Sequence, residues 1–317
     1  MNLIAIFEMR SAWHFLFIFS PFIILAFLWE VLKNRSEKTR YIVGCIIGTM
    51  ALVIMGIRNI NLAITEGFSH DVIPLQICHI GNFVVFFACV FKSKIATSMA
   101  FVFHFICAMF SLIFADQLLA FDYGNGVFEI TALAYIFGHI FIILGSLYPV
   151  VLKLVKFDFK DFLKGMGVIY LFVVVAIILN PIFNNILKDE ANFFFLFNNK
   201  GVPLAWLYKP ELTLHAGWFE INLLYVFVLI LFFSVLAIGF YYLQKLWYIN
   251  DKDLITLNIF EERKVKKEIT NDIKSNEIKI ITNEVHEEIK ENKDKKLIIK
   301  IGDKELILNN KFYKFKD

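Results

Sequence analysis

"FEITALAYIFGHIFIILGSLYPVVL", residues 128–152, carries one acid near its start and a single histidine, His139, in an otherwise uncharged and mostly apolar run. A helix needs about 20 such residues to cross a bilayer core of roughly 30 Å, so the stretch reads as a membrane span with an imidazole near its middle. Six more stretches of comparable length and character lie around it, at approximately 11–32, 41–62, 72–91, 95–115, 166–187 and 218–246. The 317 residues are 58% apolar, well above the roughly 45–50% of soluble domains. The expected fold is therefore an all-α polytopic membrane protein of seven transmembrane helices. The first run follows Glu8 and Arg10 instead of a basic leader, and it lacks a small-x-small cleavage pattern, so it reads as a retained span.

Orientation follows from Lys and Arg in the short loops. Placing the N-terminus outside puts Lys33, Arg35, Lys38, Arg40, Lys92, Lys94, Lys153, Lys156, Lys160, Lys164 and Lys245 on the inner side. The outer side then holds only Arg10, Arg58, Lys188, Lys200 and Lys209. The bias alternates through all seven spans, and a missing span would scramble it. The C-terminus is thus expected in the cytoplasm and the protein in the cell (plasma) membrane.

Charge divides the chain a second time. Residues 1–248 hold 16 Lys and Arg and 14 Asp and Glu, and the remaining 69 residues hold 16 and 15. Residues 1–248 read as the membrane domain and 249–317 as a charged cytoplasmic tail. Its first part, 249–296, is mixed in charge and poor in apolar residues, a tether by composition. Its end, 297–317, alternates apolar and polar residues around Gly302-Asp303, the pattern of a β-hairpin. A lone hairpin is barely stable in water, so the tail is expected to meet a cytoplasmic or membrane protein partner or the membrane surface. A net charge of +3 and the lack of a basic patch with interleaved aromatics argue against nucleic acid.

Cys45, Cys78, Cys89 and Cys107 all sit in apolar runs with no CxxC, which indicates neither a disulfide framework nor a zinc site. No metal or cofactor is expected. Ionisable residues inside spans are costly and each is a candidate for function. Glu30, Asp116, Glu129 and Glu220 lie close to span ends and can reach water. Three histidines, His79, His104 and His139, lie deep. His104 has no partner that the sequence identifies. At 1.5 Å per residue, Cys78 lies roughly 9 Å inside its span and His139 roughly 15 Å inside its own, both counted from the outer side. Packing of those two helices would bring thiol and imidazole within reach, the arrangement of an activated cysteine nucleophile. His79 points about 100° away from Cys78 on the same helix and suits orientation of a substrate or packing. Pro74 fits the first helical turn, which would set Gln76, Cys78 and His79 near the positive end of the helix dipole. Asn180-Pro181 predicts a kink. The outer segment 184–217, broken by Gly201, Pro203 and Pro210, reads as a loop or a short re-entrant element.

The same residues carry a resemblance. "VIPLQICHIGNF" (72–83) resembles the Pro-Leu-His-Leu-Cys segment of the YwaF-like bacterial integral membrane proteins, and "FGHIFIILGSLY" (137–148) resembles their later histidine-bearing span. "SLIFADQ" (111–117) and "ANFFFLF" (191–197) are similar to the family's Leu-Leu-Thr-Pro-Asp and Asn-Tyr-x-Phe-Leu segments. The likeness covers about residues 68–246. It departs at Gln76, where the family has histidine, at Phe114-Ala115 for Thr-Pro, and at Phe193 for tyrosine. That family is similar in turn to eukaryotic membrane proteins implicated in cysteine-dependent acyl transfer on phospholipids. The resemblance implies Cys78 as nucleophile, His79 as its adjacent partner and His139 as the assisting base. His79, Gln76, Asp116 and Asn192 are expected to bind substrate, with a membrane lipid as the partner. The expected function is a membrane-embedded lipid acyl transferase or hydrolase. The alternative is a non-catalytic binding or transport protein that holds a small molecule or lipid and docks a partner through its tail.

Overall fold

The structure, a computed structural model, describes residues 12–65, 67–114, 130–197 and 205–248 and the strand residues 297–301, 304–309 and 312–315. Seven helical rods make up the first part: α1 (Ala12–Leu32), α2 (Glu37–Thr65), α3 (Ile77–Val90), α4 (Lys94–Ile113), α5 (Ile130–Val151), α6 (Phe159–Leu187) and α7 (Leu223–Trp247). All but α3 are long and apolar enough to cross a membrane. Large apolar side chains such as Phe27 on α1, Ile46 on α2, Leu171 on α6 and Phe227 on α7 stand exposed. So much outward apolar surface belongs to a multi-pass membrane protein, in which lipid covers it.

The stretch 72–91, read from the sequence as one span, is helical only over Ile77–Val90. Fourteen residues reach about 21 Å at 1.5 Å each, short of a bilayer core. Residues before Ile77 are drawn into turns, with Val72 N–H donating to Ser69 O (3.1 Å) and Ile73 N–H to His70 O (3.2 Å). From α2, Arg58 Nη1 donates to Asp71 O (2.9 Å) and Asn59 Nδ2 to Val72 O (3.0 Å), so these carbonyls are spent outside any helix. Pro74 therefore precedes the helix instead of opening it, and Gln76, in extended conformation, is the N-cap.

Close approach fixes how α3 sits between α2 and α5. A Cβ at Gly48 of α2 would come within 2.9 Å of the Cys89 Cβ, and one at Gly145 of α5 would run into the Val85 side chain. Val85, Ala88 and Ala51 are fully buried at this seam. At one end, Tyr148 donates to Arg40 O (2.7 Å) while Arg40 Nη1 donates to Leu152 O (2.8 Å), tying the start of α2 to the end of α5.

Helix ends follow local chemistry. Ser93 caps α4 by accepting from Ala96 N–H (3.3 Å), and Asn222 caps α7 by accepting from Tyr225 N–H (3.1 Å). Asp158 and Asp161 form a reciprocal capping box at the start of α6. Lys92, Lys153 and Lys188 take the left-handed conformation where glycine is usual, just past the ends of α3, α5 and α6, and their charge complements the negative helix termini. The kink predicted at Asn180-Pro181 takes the form of a change from α to wider π turns over Ile182–Leu187. Asn184 Nδ2 donates to the Asn180 carbonyl (2.9 Å) across that change. A second π segment, Ala100–His104, lies inside α4.

Beyond α6 the chain folds inward. Asn180 pairs through its carboxamide with both backbone groups of Phe193, accepting from its N–H (2.7 Å) and donating to its carbonyl (2.9 Å). Ala191, Phe193, Phe194 and Leu196 are buried as a result. His70, ahead of α3, holds Asp189 of this loop through its N–H (2.7 Å) and Nδ1 (2.5 Å). A short antiparallel hairpin, β1 (Thr213–Ala216) and β2 (Phe219–Asn222), leads into α7 and sets His215 opposite Glu220, with Nδ1 3.1 Å from Oε2.

The chain divides into units Met1–Ile249 and Asn250–Asp317. The second contains β3 (Leu297–Ile301), β4 (Lys304–Asn309) and β5 (Phe312–Phe315) in an antiparallel order β3-β4-β5, with Ile299 opposite Leu306 and Leu306 opposite Phe315. The expected hairpin around Gly302-Asp303 thus gains a third strand. The tether, 249–296, lies outside the described residues.

Candidate functional site

Cys78 is the second residue of α3. Because Gln76 makes no side-chain cap, and Ile80 is the first residue whose N–H bonds back (to Gln76 O, 3.0 Å), the amides of Ile77, Cys78 and His79 lack helical partners. They form the positive end of the α3 dipole, next to the sulfur. Asn82, one turn on, donates from Nδ2 to the Cys78 carbonyl (2.9 Å) and fixes that turn.

His139 reaches this sulfur from α5. Its Nε2 lies 3.0 Å from Cys78 Sγ, and its Nδ1 lies 2.6 Å from the Tyr135 carbonyl. A carbonyl only accepts, so Nδ1 carries the proton and Nε2 of the neutral ring is the acceptor for the Cys78 thiol. Tyr135 and His139 are one helical turn apart, and their rings pack at 4.3 Å between centroids, tilted by 55°. The imidazole is thereby held in one tautomer and one orientation.

Two further bonds close a circuit. Tyr135 donates its phenol proton to the Ser111 carbonyl on α4 (2.6 Å), and the Ser111 hydroxyl lies 3.7 Å from Cys78 Sγ. Cys78, His139, Tyr135 and Ser111 therefore form a ring of four residues from three helices, each bonded to the next. His139 and Ser111 are buried, and Cys78 retains partial exposure. Neither Ser111 nor Tyr135 stood out in the sequence. For Tyr135 the only signal was its place four residues before His139, and for Ser111 only its place at the head of the segment 111–117. Arg58 was missed as well: from α2 its Nη1 donates to Asp71 O (2.9 Å) and so helps to fix the chain just ahead of the Cys78 turn.

The other sequence-selected residues separate. His79 is buried on α3 with its Nδ1 lacking a partner among the described residues, and the same holds for Gln76 Oε1 and Asn82 Oδ1. These are polar atoms at the edge of the Cys78 turn that a polar ligand could satisfy. Asn192 belongs to the inward loop after α6, where its Oδ1 accepts from Phe197 N–H (3.0 Å). Asp116 and Glu129 lie outside the described residues. His104 is buried at the end of the π segment of α4, beside the Ile77 backbone, and a Cβ at Gly81 would lie 3.1 Å from its Nδ1. Glu30 pairs with Lys33 (2.6 Å) at an exposed helix end.

Among the described residues no group of three or more His, Cys, Asp or Glu is arranged to hold a metal ion. A groove of about 520 Å³ runs along α3, lined by Pro74, Ile80, Phe83, Phe87, Met99 and Phe172. Positions 80, 83 and 87 lie on the side of α3 away from Cys78, so this groove and the thiol occupy opposite faces of the helix.

The family-level pattern of the TMEM164 family matches residues 7–250, which include all seven helices and the whole of the Cys78 site. The chain belongs to the TMEM164 family. No curated protein and no solved structure matches it.

Proposed function

We propose that the protein is a membrane-embedded lipid acyl transferase or hydrolase in which Cys78 is the nucleophile and His139 the general base and acid. The observation that carries this reading is the 3.0 Å contact between Cys78 Sγ and the unprotonated Nε2 of an imidazole whose other nitrogen is fixed by a backbone carbonyl. That is the geometry of an activated thiol. The topology that accompanies it is seven crossings, with the short α3 completing the bundle, the N-terminus outside and the tail in the cytoplasm of the plasma membrane.

The thiol proton passes to His139 Nε2 and the thiolate attacks the carbonyl carbon of a lipid ester. The ester C–O bond of the tetrahedral intermediate breaks, and His139 returns its proton to the departing alkoxide, leaving an acyl thioester on Cys78. His139 then takes the proton of an acceptor hydroxyl or of water, the new oxygen attacks the thioester, and the sulfur leaves as thiolate to recover the proton. The free amides of Ile77, Cys78 and His79 supply donors beside the carbonyl oxygen as it gains charge. The resemblance to YwaF-like proteins, in which a cysteine and a later histidine occupy corresponding segments, supports the same assignment of roles.

Membranes holding the full chain are incubated with phospholipid carrying a labelled acyl chain, and transfer to lipid alcohols or release as fatty acid is followed. Cys78→Ala abolishes turnover, and His139→Ala lowers it by about 10²–10⁴-fold, the range for loss of a general base, with protein levels unchanged. Full activity in both variants overturns the reading.

A further inference from the structure

Ser111 sits on α4, near its end, and its side chain does something unusual for a serine in a membrane helix. Such a hydroxyl commonly bonds back to a carbonyl three or four residues earlier. Here its partner is the Cys78 sulfur at 3.7 Å, and among the described residues it has no other. It is buried, so the sulfur contact is made away from bulk solvent. Its position is not incidental either, because the Tyr135 phenol clamps the Ser111 backbone at 2.6 Å and His139 is oriented by the carbonyl of that same tyrosine.

A thiol is a weak hydrogen-bond acceptor and a thiolate a strong one. A hydroxyl held at 3.7 Å from a thiol gains little, whereas the same hydroxyl beside a thiolate makes a charge-assisted bond. An interaction that strengthens as the reacting atom gains charge is the kind that accelerates a reaction. We infer that Ser111 is a further catalytic residue, a fixed hydroxyl donor that stabilises the Cys78 thiolate opposite the His139 imidazolium. No proton leaves Ser111. When the sulfur becomes a thioester it loses that acceptor strength, and the hydroxyl is released to the carbonyl oxygen of the acyl group. The inference rests on the Cys78 and His139 reading.

The test reads thiol chemistry and turnover separately. In full-length protein in detergent micelles, the rate of Cys78 alkylation by iodoacetamide is measured by mass spectrometry of the Cys78 peptide across pH 5 to 10, beside acyl transfer in membranes. Ser111→Ala is expected to move the midpoint of the alkylation profile to higher pH and to lower acyl transfer about tenfold, the scale of one hydrogen bond worth roughly 1.4 kcal/mol. Ser111→Thr, which keeps the hydroxyl, is expected to restore the wild-type midpoint. An unchanged midpoint in Ser111→Ala, with His139→Ala still displaced, overturns the role of Ser111 and leaves the Cys78 reading intact. Full turnover in Cys78→Ala overturns that reading instead. A common displacement in Ser111→Ala and Ser111→Thr also overturns the inference, because packing and not the hydroxyl would then be the cause.

Discussion

Gly145 of α5 meets Val85 of α3 so closely that even a methyl group on the glycine would overlap the valine side chain. The contact lies six residues beyond His139 on one helix and seven beyond Cys78 on the other, about 9–10 Å along each. The seam at Gly145 and Val85 thus sets the separation of the two helices just below the sulfur and imidazole. Contact there and contact at the site belong to one geometry.

Gly145→Ala is expected to push α5 away from α3. Overpacking a close-packed seam costs about 1–3 kcal/mol, and the displacement lengthens the 3.0 Å bond between Cys78 and His139. Cys78 alkylation near neutral pH should slow toward the rate of His139→Ala while the thermal midpoint falls by a few degrees. Val85→Ala in the same chain should recover much of both, since it vacates the space that the new methyl needs. A single Gly145→Ala variant with wild-type alkylation and melting would show that the seam does not set the site.

What the sequence made legible was period and chemistry. The long apolar runs become helices near the positions read for them because a bilayer-length run has few alternatives, and His139 stands out because an imidazole in such a run is costly. The start of α3 was not legible. Its first turn is displaced by bonds from Arg58 and Asn59 to Asp71 and Val72, contacts made across the fold that no local pattern in 70–76 announces. The depths of Cys78 and His139, counted from span ends, differed by about 6 Å, whereas the atoms touch. Ser111 was invisible for a related reason: a serine in a membrane helix is common, and only the packing of α4 against α3 sets this one beside sulfur.

Asn180 gives a second prediction. It is buried, and its carboxamide is matched to the N–H and carbonyl of Phe193, itself fully enclosed. Asn180→Ala strands both backbone groups, at about 1–3 kcal/mol for each buried group left unpaired. The inward loop is then expected to loosen ahead of the helices, with faster amide hydrogen exchange over 189–197 and little change in 130–151. Phe194 and Phe195 sit in the left-handed region, φ 58° and 56°, and that strain adds to the drive toward release. Equal exchange in the variant and the wild type would show that the loop is held by its buried phenylalanines alone.

The start of α6 supplies a prediction in pH. The Asp161 backbone N–H donates to Asp158 at 2.9 Å, and this bond, aided by further donors and by Lys94, holds the Asp158 carboxyl below its ordinary value. A carboxyl with a depressed folded-state value contributes stability that is complete above its unfolded value, about 3.9 for aspartate, and that is lost as pH falls through the folded value. The native state binds fewer protons than the unfolded chain in that window, so stability there must rise with pH. Asp158→Asn keeps a good N-cap but removes the titration. Melting curves of both proteins in neutral detergent between pH 6 and pH 3 are expected to diverge above pH 4, where the wild type is the more stable, and to converge in the acid limb. A constant difference across the range would assign the effect to the cap's shape instead of its charge.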